Sequence, residues 1–564
     1  MAVVLGLSNT HNGSVAIICD GKIRSAIQAE RISRIKRQAL ALGKEKSLVK
    51  NCVDYCLEAS GLTHKNIDAV ALCTPWTART ITDAQLFDYI GGSIQDYKTT
   101  FYVPHHFSHM EYIVHFGNLE PGIVLVIDGS GSFEQDRKIF NINEKFHDNI
   151  TNLSHFAGKE VISAYWFDGC ESYLIYRFSP SVAPRESYNL SSDGLLQSIG
   201  HYWEWASQYC CGTRQEAGKV MGLAAFGDPS MLKEDNLLRL TDSSEIRLDF
   251  KGLREKYTTP NIFGLDLSNS SHHQQFALRV QRETEDIILK LLKLLKRKFP
   301  TDTLYFSGGV SLNVVANEKI IKSNLFKNVV LNGSVEDNGS AIGAALAGYH
   351  ELGHSRRAEK ALDYFGKEYG YEEIIEASKS FKFPYKACPK ESICEHAAEL
   401  IAENNVIGWF QGRSEFGPRA LGNRSILANP IFSGTKYALD FYMKCRDRYR
   451  PYAPVVIEEK ANRYFDIIGT SPTMMRNVTV LTESLPAITH VDGSARLQTV
   501  NKEDNEPLYM LLLEVEKRIG CPVLLNTSFN LPGEPIVETP FDALSSFARG
   551  GLDYLIMGNV IISR

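Results

Sequence analysis

Short apolar runs separated by polar turns open the chain, and their spacing predicts alternating strands and helices. Three runs predict buried strands near the start, at residues 2–7, 14–19 and 22–27. Asp20-Gly21 between the last two is typical of a two-residue hairpin turn. Apolar residues at helical spacing then predict a helix over 47–60, and residues 67–72 predict the next strand. This alternation predicts an α/β fold.

A second opening of the same kind begins at residue 123. The apolar run 123–127 leads into Asp128-Gly129-Ser130-Gly131, and a polar-punctuated stretch at 138–142 predicts a returning strand. Two copies of strand, small-residue turn and returning strand indicate a duplicated α/β unit with a cleft between its halves, which is the plan of actin-like ATPases. Alone the repeat is weak evidence, because many α/β proteins repeat these elements.

Glycine-containing turns after strands predict a nucleotide cleft. A strand at 303–306 leads into Ser307-Gly308-Gly309, before a predicted helix that carries Asn313 and Asn317. A strand at 329–332 leads to Asp337-Asn338-Gly339 and a helix at 341–346. Glycines let backbone N–H groups approach phosphates at a helix N-terminus. Together with the turn that contains Ser130, these turns predict phosphate contacts.

Two histidines four residues apart, His105 and His109, predict a metal site. On a helix, positions i and i+4 lie on one face, so both imidazoles can reach one cation. Asp128 and Asp337 follow predicted strands and can supply carboxylates from strand ends. Nitrogen and oxygen ligands without thiolate suit iron or zinc. The pair alone also fits an ordinary solvated or packed helix face.

Composition is that of an ordinary enzyme of more than one domain. The 564 residues include 61 Lys+Arg and 66 Asp+Glu, so the basic excess of a general nucleic-acid binder is missing. The Lys290 to Lys298 cluster is interleaved with leucines and predicts an amphipathic helix. No secretory signal opens the chain and no run of 18 apolar residues occurs, so we expect no membrane span. The scattered cysteines favour a cytoplasmic location with reduced thiols.

A polar stretch near residue 353 predicts a domain boundary near residue 362. The second region carries cations beside strands and turns: Arg419, Lys444, Arg450 and Arg496. Arginine forks pair with phosphate and lysine acts as a point charge, so these four predict a polyphosphate clamp. For four further arginines a surface or salt-bridged role is as plausible as a direct one: Arg413, Arg424, Arg446 and Arg448.

Five motifs together resemble the NodU/CmcH family of ATP-dependent O-carbamoyltransferases. They are Gly-Lys-Val-Met-Gly-Leu-Ala-Ala-Phe-Gly at 218–227, Ser-Gly-Gly-Val-Ser-Leu-Asn at 307–313, Asp-Asn-Gly-Ser at 337–340, Glu-Phe-Gly-Pro-Arg-Ala-Leu-Gly-Asn-Arg-Ser-Ile-Leu-Ala at 415–428 and Arg-Pro-Tyr-Ala-Pro at 450–454. The resemblance runs from end to end. It implies an actin-like carbamoyl-transfer domain (1–362), similar to the threonylcarbamoyl transferases, and a YrdC-like α/β domain (363–564).

The resemblance also implies a division of chemistry. The second domain would combine ATP with carbamoyl phosphate to give carbamoyl adenylate, and the first would transfer the carbamoyl group to a hydroxylated small molecule. The implied iron ligands are His105, His109, Asp128 and Asp337, although zinc is not separated from iron by ligand type. The implied adenylate contacts are Lys36, Gly308, Gly309 and Asn313. The implied activation site comprises Arg419, Lys444, Arg450, Arg496, Asn526 and Ser528, with Mg²⁺ expected to accompany ATP.

His11 is the candidate general base by its position in the motif, and capping of its turn is an equal alternative. The family usually has Asp where this chain has Asn12, and Gly-Leu-Ala-Pro-Tyr-Gly where residues 222–227 read Gly-Leu-Ala-Ala-Phe-Gly. Two other functions compete: a tRNA threonylcarbamoyl-modifying enzyme and a catalytically silent nucleotide-gated binding protein. The acceptor and the oligomeric state, a homo-oligomer included, stay open.

Overall fold

A computed structural model describes residues 2–40, 42, 44–73, 83–92, 99–132, 158–180, 197–233, 235–242, 244–257, 267, 270–447 and 449–564. The strand predicted at 138–142 and Arg448 lie outside these residues.

The first sheet has the strand order β3-β2-β1-β4-β5. Its strands are β1 (Val3–Ser8), β2 (Ser14–Cys19), β3 (Lys22–Gln28), β4 (Ala69–Cys73) and β5 (Thr99–Val103). β1, β4 and β5 are parallel, and Asp20-Gly21 forms the predicted turn between β2 and β3. The connecting helices are α1 (Ala29–Ser33), α2 (Lys46–Ser60) and α3 (Asp83–Ile90). Gly61 ends α2 in the left-handed conformation, as predicted.

The second sheet repeats this arrangement. Its strands are β6 (Gly122–Ile127), β7 (Ile162–Phe167), β8 (Ser172–Phe178), β11 (Thr303–Ser307) and β12 (Asn328–Val330), in the order β12-β11-β6-β7-β8. In each sheet the first strand lies centrally, beside its returning strand on one side and a parallel strand on the other. The predicted duplication of an α/β unit is therefore confirmed, and so is the α/β class. A separate pair comprises β9 (Leu238–Leu240) and β10 (Ile246–Leu248).

The helices after β5 are α4 (His105–Val114), α5 (Ile199–Cys211), α6 (Ala217–Ala224), α7 (Phe250–Lys256), α8 (Ser271–Lys298), α9 (Val314–Lys322) and α10 (Ser340–Glu351). The last of these, α10, packs against α4 and against β1 and β4 of the first sheet. The predicted amphipathic segment is the last third of α8, whose buried face includes Leu291 and Leu295. Asn313 does not lie within a helix as predicted, because its side chain accepts the Ala316 N–H and caps α9. Among the described residues we find no helix with the length and apolarity needed to cross a bilayer.

The C-terminal part is built on a nine-stranded mixed sheet. Its order is β13-β21-β20-β14-β15-β19-β16-β18-β17. The strands are β13 (Tyr385–Ala387), β14 (Ile407–Phe410), β15 (Arg424–Ala428), β16 (Ala453–Ile457), β17 (Arg476–Thr479), β18 (Ser494–Val500), β19 (Val523–Ser528), β20 (Tyr554–Met557) and β21 (Val560–Ser563).

Two hydrophobic cores lie on the two faces of this sheet, because successive strand residues alternate between them. Val456 faces the core that includes α11 (Tyr371–Phe381) and α15 (Pro540–Arg549). Val455 faces the core that includes α12 (Ile393–Ala402) and α14 (Glu506–Ile519). A short helix, α13 (Gly434–Ala438), continues into a π-helical turn at Leu439–Lys444. The turn therefore delivers Lys444 from a helix end.

By the density of their internal contacts, the residues divide into two compact units. The first unit comprises Met1–Thr10, Ile18–Lys22 and Lys65–Lys360. The second comprises His11–Ile17, Ile23–His64 and Ala361–Arg564. A functional domain boundary near residue 362 stays a prediction.

Candidate functional site

The four predicted metal ligands meet in the first unit. His105 and His109 lie on one face of α4, with their Nε2 atoms 3.2 Å apart. Asp128 directly follows β6, and its Oδ2 lies 3.1 Å from His105 Nε2. Asp337 Oδ1 lies 3.3 Å from His105 Nε2 and 3.8 Å from His109 Nε2. One ligand atom from each residue lies within 4.8 Å of every other, and all four residues are buried.

Hydrogen bonds between backbone and side chain fix two of these residues. Asp128 Oδ1 accepts the Gly309 N–H at 3.1 Å, which turns Oδ2 toward His105. Ser132 Oγ accepts the His105 N–H at 2.8 Å, at the start of α4. Asp337 does not stand at a strand end as predicted, because β12 ends at Val330 and Asp337 opens a 3₁₀ turn before α10. The four ligands therefore come from a helix, a strand end and a 3₁₀ turn.

The ionisation of the four residues is strongly coupled. Burial opposes protonation of His105, yet the charges of Asp337 and Asp128 and the thiol of Cys73 hold its pKa well above the ordinary value. Burial and the neighbouring His105 lower the pKa of His109. Burial and Asp337 would raise the pKa of Asp128, but both histidines hold it below the ordinary value. The cluster thus favours anionic carboxylates beside imidazole nitrogens.

This donor set fits a divalent metal ion. His105 Nε2 faces Asp128 Oδ2, Asp337 Oδ1 and His109 Nε2 within 3.3 Å, whereas one N–H can serve only one of them well. A cation among them would satisfy all four residues at once. Two imidazoles and two carboxylates suit iron or zinc. The Sγ of Cys73 lies 3.4 Å from His105 Nδ1, a neighbour that spacing in the sequence does not reveal.

Some of the predicted adenylate contacts of the first unit lie close to the four predicted metal ligands. Gly308 has φ +89°, and a Cβ there would lie 2.3 Å from Ile127 O, so the turn requires glycine. The Gly309 N–H donates to Asp128 Oδ1, so this N–H is already engaged by the carboxylate. Asn313 is buried and pairs reciprocally with the amide of Gln281. Ser130 is half-buried in the turn after Asp128. An adenylate contact for these residues stays a prediction.

In the second unit, cationic side chains gather into what we name the cation cluster: Lys36, Arg419, Lys444, Arg446, Arg450 and Arg496. Burial and repulsion from Arg419, Arg446 and Arg450 hold the pKa of Arg496 well below its ordinary value. Burial and repulsion from Arg446, Lys36 and Arg450 do the same to the pKa of Lys444. Neighbouring cations therefore destabilise the charges of Lys444 and Arg496. Such a cluster favours the binding of an anion.

Lys444 is anchored on the turn that follows β19. Its Nζ donates to Ser528 O and also to Asn530 O and Oδ1, at 2.9 and 2.7 Å. Ser528 Oγ donates to Asn530 Oδ1 at 2.7 Å. Three acceptors match the three donors of an ammonium group, although burial and repulsion depress its pKa. Asn526 is buried within β19, two residues before Ser528, and donates to Gln498 Oε1 at 2.8 Å.

The structure separates the arginines that the sequence left undecided. Arg446 belongs to the cation cluster, and its guanidinium also lies 4.8 Å from the ring centroid of Tyr452. Its position between Lys444 and Arg450 was the only signal for it in the sequence. Arg424 is fully buried and donates to Gln411 O, and Arg413 donates to Gly366 O. These last two hold the backbone.

His11 and Lys36 both lie in the second unit. His11 is exposed in the connection between β1 and β2. Lys36 is exposed and follows α1 by three residues, close enough to Lys444 to lower its pKa. A base role for His11 and an adenylate contact for Lys36 stay predictions.

Comparisons with known proteins agree over almost the whole chain. The family model described as "Carbamoyltransferase N-terminus" matches residues 3–80 and 77–346, and "Carbamoyltransferase C-terminus" matches 398–564. The "Nodulation protein NolNO" of Sinorhizobium fredii is 30% identical over 596 residues, covering 99% of this chain and 80% of the relative. A "3'-hydroxymethylcephem-O-carbamoyltransferase" of Streptomyces clavuligerus is 32% identical, covering 58% of this chain and 61% of the relative.

Among solved structures, full-length HypF in its phosphate- and nucleotide-bound form is similar at 13% identity. The match covers 62% of this chain and 56% of HypF, with a TM-score of 0.41. A score of this size does not establish a shared fold, so the fold rests on the sheets described above.

Proposed function

This chain belongs to the carbamoyltransferase family, and from that premise we propose that it is an ATP-dependent O-carbamoyltransferase that works in two steps. Membership makes the protein an enzyme that transfers carbamoyl groups. The proposal assigns activation of the carbamoyl group to the cation cluster and its transfer to the four-ligand cluster.

In the first step, carbamoyl phosphate is hydrolysed to carbamate and phosphate. A carbamate oxygen then attacks the α-phosphorus of ATP, the bond from that phosphorus to pyrophosphate breaks, and carbamoyl adenylate forms. Arg419, Arg450 and Arg496 would pair with phosphate oxygens, while Lys444 would neutralise charge that develops during the attack. Mg²⁺ would accompany the ATP. Positioning and charge supply this catalysis, since no protein nucleophile is needed.

In the second step, the acceptor hydroxyl oxygen attacks the carbamoyl carbon and the bond from that carbon to AMP breaks. The proton of the hydroxyl passes to a base, for which His11 is the candidate. His105, His109, Asp128 and Asp337 would hold a metal ion, with iron the first expectation. Such an ion supplies Lewis-acid stabilisation of negative charge on the carbonyl or phosphate oxygen.

The observation that carries the proposal is the mutual repulsion within the cation cluster. Arg496 and Lys444 are half-buried beside other cations, an arrangement that a bound polyanion relieves. Radiolabelled pyrophosphate should enter ATP only when carbamoyl phosphate is present, because reversal of adenylate formation is the route. Absence of this exchange in active, folded protein would refute the first step.

The proposed acceptor is a hydroxyl of a small natural product or glycan. The name of one relative specifies O-carbamoylation of a 3'-hydroxymethylcephem, and others are nodulation proteins. A panel of hydroxylated antibiotics and chitooligosaccharides, incubated with ATP and carbamoyl phosphate, should yield a product heavier by one carbamoyl group. If adenylate forms and no hydroxylated compound is modified, O-transfer is wrong while activation stands.

A further inference from the structure

The backbone of Gly417, two residues before Arg419, is held at its N–H and at its carbonyl by side chains of the second unit. Gln28 Oε1 accepts the Gly417 N–H at 3.1 Å. Arg31 Nη2 donates to Gly417 O at 2.8 Å. Gln28 and Arg31 are only 4% and 2% exposed, so water does not compete for either bond. Gln28 is the last residue of β3, and Arg31 lies in α1 directly after it.

Gly417 needs such support because of its backbone conformation. Its φ is +96°, in the region that favours glycine, and Pro418 further restricts the residue before it. An isolated Gly-Pro segment would populate other conformations. Two hydrogen bonds, to the N–H and to the carbonyl of Gly417, select this conformation and thereby set the direction in which the chain leaves toward Arg419.

The far end of the same loop is fixed independently by Glu415. Its Oε1 accepts the backbone N–H groups of Leu421, Asn423 and Arg424, at 2.7, 2.7 and 3.1 Å. Arg419 therefore lies on a loop that is anchored on both sides. The anchor nearer in sequence to Arg419 on its N-terminal side is the Gln28 and Arg31 pair.

Arg31 itself is incompletely paired. Among the described residues its Nε and Nη1 have no hydrogen-bond partner, and the nearest carboxylate oxygen, Glu30 Oε1, lies 3.7 Å from Nε. Burying a guanidinium in this state costs folding free energy. We therefore expect Arg31 to contribute through the loop that it holds at Gly417 and not through the stability of the fold.

We propose that Arg31, assisted by Gln28, is a positioning residue for Arg419 in the anion site of the cation cluster. The inference rests on the proposed function, in which Arg419 binds phosphate. It gives the segment of residues 28–31 a part in activation, although this segment lies far from the activation motifs in the sequence.

Pyrophosphate binding to the full chain, measured by titration calorimetry, tests the inference. Arg31→Ala should weaken binding about tenfold, because Arg419 loses its direction while its charge remains. Arg31→Ala added to Arg419→Ala should change affinity by less than about twofold, because Arg31 acts through a group already removed. A general structural defect would instead add to the Arg419→Ala effect.

Arg34→Ala is the matched control. Arg34 follows the same helix and donates to Pro535 O and Ile536 O at 3.0 and 2.8 Å, away from the Arg419 loop. It should bind pyrophosphate like the wild type. If Arg31→Ala fails to fold, Gln28→Ala and Arg31→Lys take its place, with the same non-additivity toward Arg419→Ala expected.

Unchanged affinity in folded Arg31→Ala, or additive losses in the double variant, would overturn the inference. Failure of the proposed function has a different signature, since the wild type would then show neither pyrophosphate binding nor exchange into ATP. Wild-type binding together with an insensitive Arg31 variant contradicts only the positioning role.

Discussion

The four-ligand cluster and the cation cluster handle buried charge in opposite ways. In the first, carboxylates lie beside imidazoles, so acidic and basic groups are neighbours. The carboxylates hold the pKa of His105 well above its ordinary value. In the second, Lys444 and Arg496 are surrounded by further cations, and every neighbour that shifts their pKa values does so by repulsion. The first cluster can accommodate protons or a metal ion, whereas the second gains most from an anion.

The difference indicates which kind of ion each cluster favours, a cation in the first unit and an anion in the second. A mixed cluster of nitrogen and oxygen atoms can be satisfied by one cation, because many acceptors converge on few protons. A cluster of arginines and a lysine stores repulsion that phosphate oxygens can offset. The proposed two-step reaction uses both, and the following changes should separate them.

Lys444→Ala should produce the largest effect. It removes a charge beside the reacting phosphate, so we expect pyrophosphate exchange to fall by at least ~100-fold. Transfer from chemically supplied carbamoyl adenylate should continue, because the four-ligand cluster is intact. The control Lys502→Ala removes an exposed lysine of the same unit. Loss of both activities in Lys444→Ala would contradict the assignment of the steps to separate sites.

His109→Ala should show the reverse pattern. It removes one of four ligands, so metal affinity should fall by more than the ~10–100-fold that loss of a supporting hydrogen-bond partner costs. The metal content of the purified variant, measured by elemental analysis, should therefore drop. Pyrophosphate exchange should persist. The control is His354→Ala, which removes an exposed histidine of the same unit that stacks on Tyr349. Full metal occupancy in His109→Ala would exclude this residue as a ligand.

Pyrophosphate should stabilise the ligand-free protein against heat. At about one hundred times its Kd it adds roughly 2.7 kcal/mol to the free energy of unfolding, which raises the melting temperature by several degrees. Arg496→Gln should lose most of this shift, because the anion then meets fewer buried cations. An equal shift in the variant would place pyrophosphate elsewhere.

The depressed pKa of Lys444 predicts opposite pH trends for stability and binding. Between its lowered folded-state pKa and the ordinary 10.5, the unfolded chain holds the extra proton, so the free energy of unfolding increases as pH rises. Anion binding should weaken over the same window, because the ammonium is lost. Lys444→Gln should flatten both profiles, as measured by denaturant unfolding and calorimetry. Parallel trends in the wild type would contradict this origin.

Cys73→Ala should have the smallest effect. The thiol lies beside Nδ1 of His105 and not beside the Nε2 that faces the other ligands, so metal affinity should fall by less than about tenfold. Cys73→Ser should recover part of the loss, since a hydroxyl can also hydrogen-bond to Nδ1. Cys210→Ala, at another buried cysteine of the same unit, should leave affinity unchanged. Equal losses in both alanine variants would indicate a packing effect.

Local chemistry made much of the first cluster predictable. The spacing of His105 and His109 places both on one helix face. Asp128 follows an apolar run that predicts a buried strand, and β6 occupies this run. Asp337 was assigned to a strand end and stands in a 3₁₀ turn, because the three-residue β12 ends well before it. Asn313 was assigned to a helix and is its cap.

The cation cluster was less predictable, since charge alone does not distinguish a phosphate ligand from a structural arginine. The sequence left Arg424 and Arg446 equally undecided. In the structure Arg424 donates to backbone carbonyls, whereas Arg446 belongs to the cation cluster. The contacts of Gln28 and Arg31 with Gly417 bridge almost four hundred residues and left no local pattern.

Sequence alone determined the α/β alternation, the duplicated unit, the shared helix face of the two histidines and the family resemblance, because periodicity, turn residues and motifs act over short distances. Only the tertiary structure decided which side chains from distant segments meet. Burial there sets their pKa values and their hydrogen-bond partners, because desolvation and proximity depend on the packed neighbours and not on the order of residues.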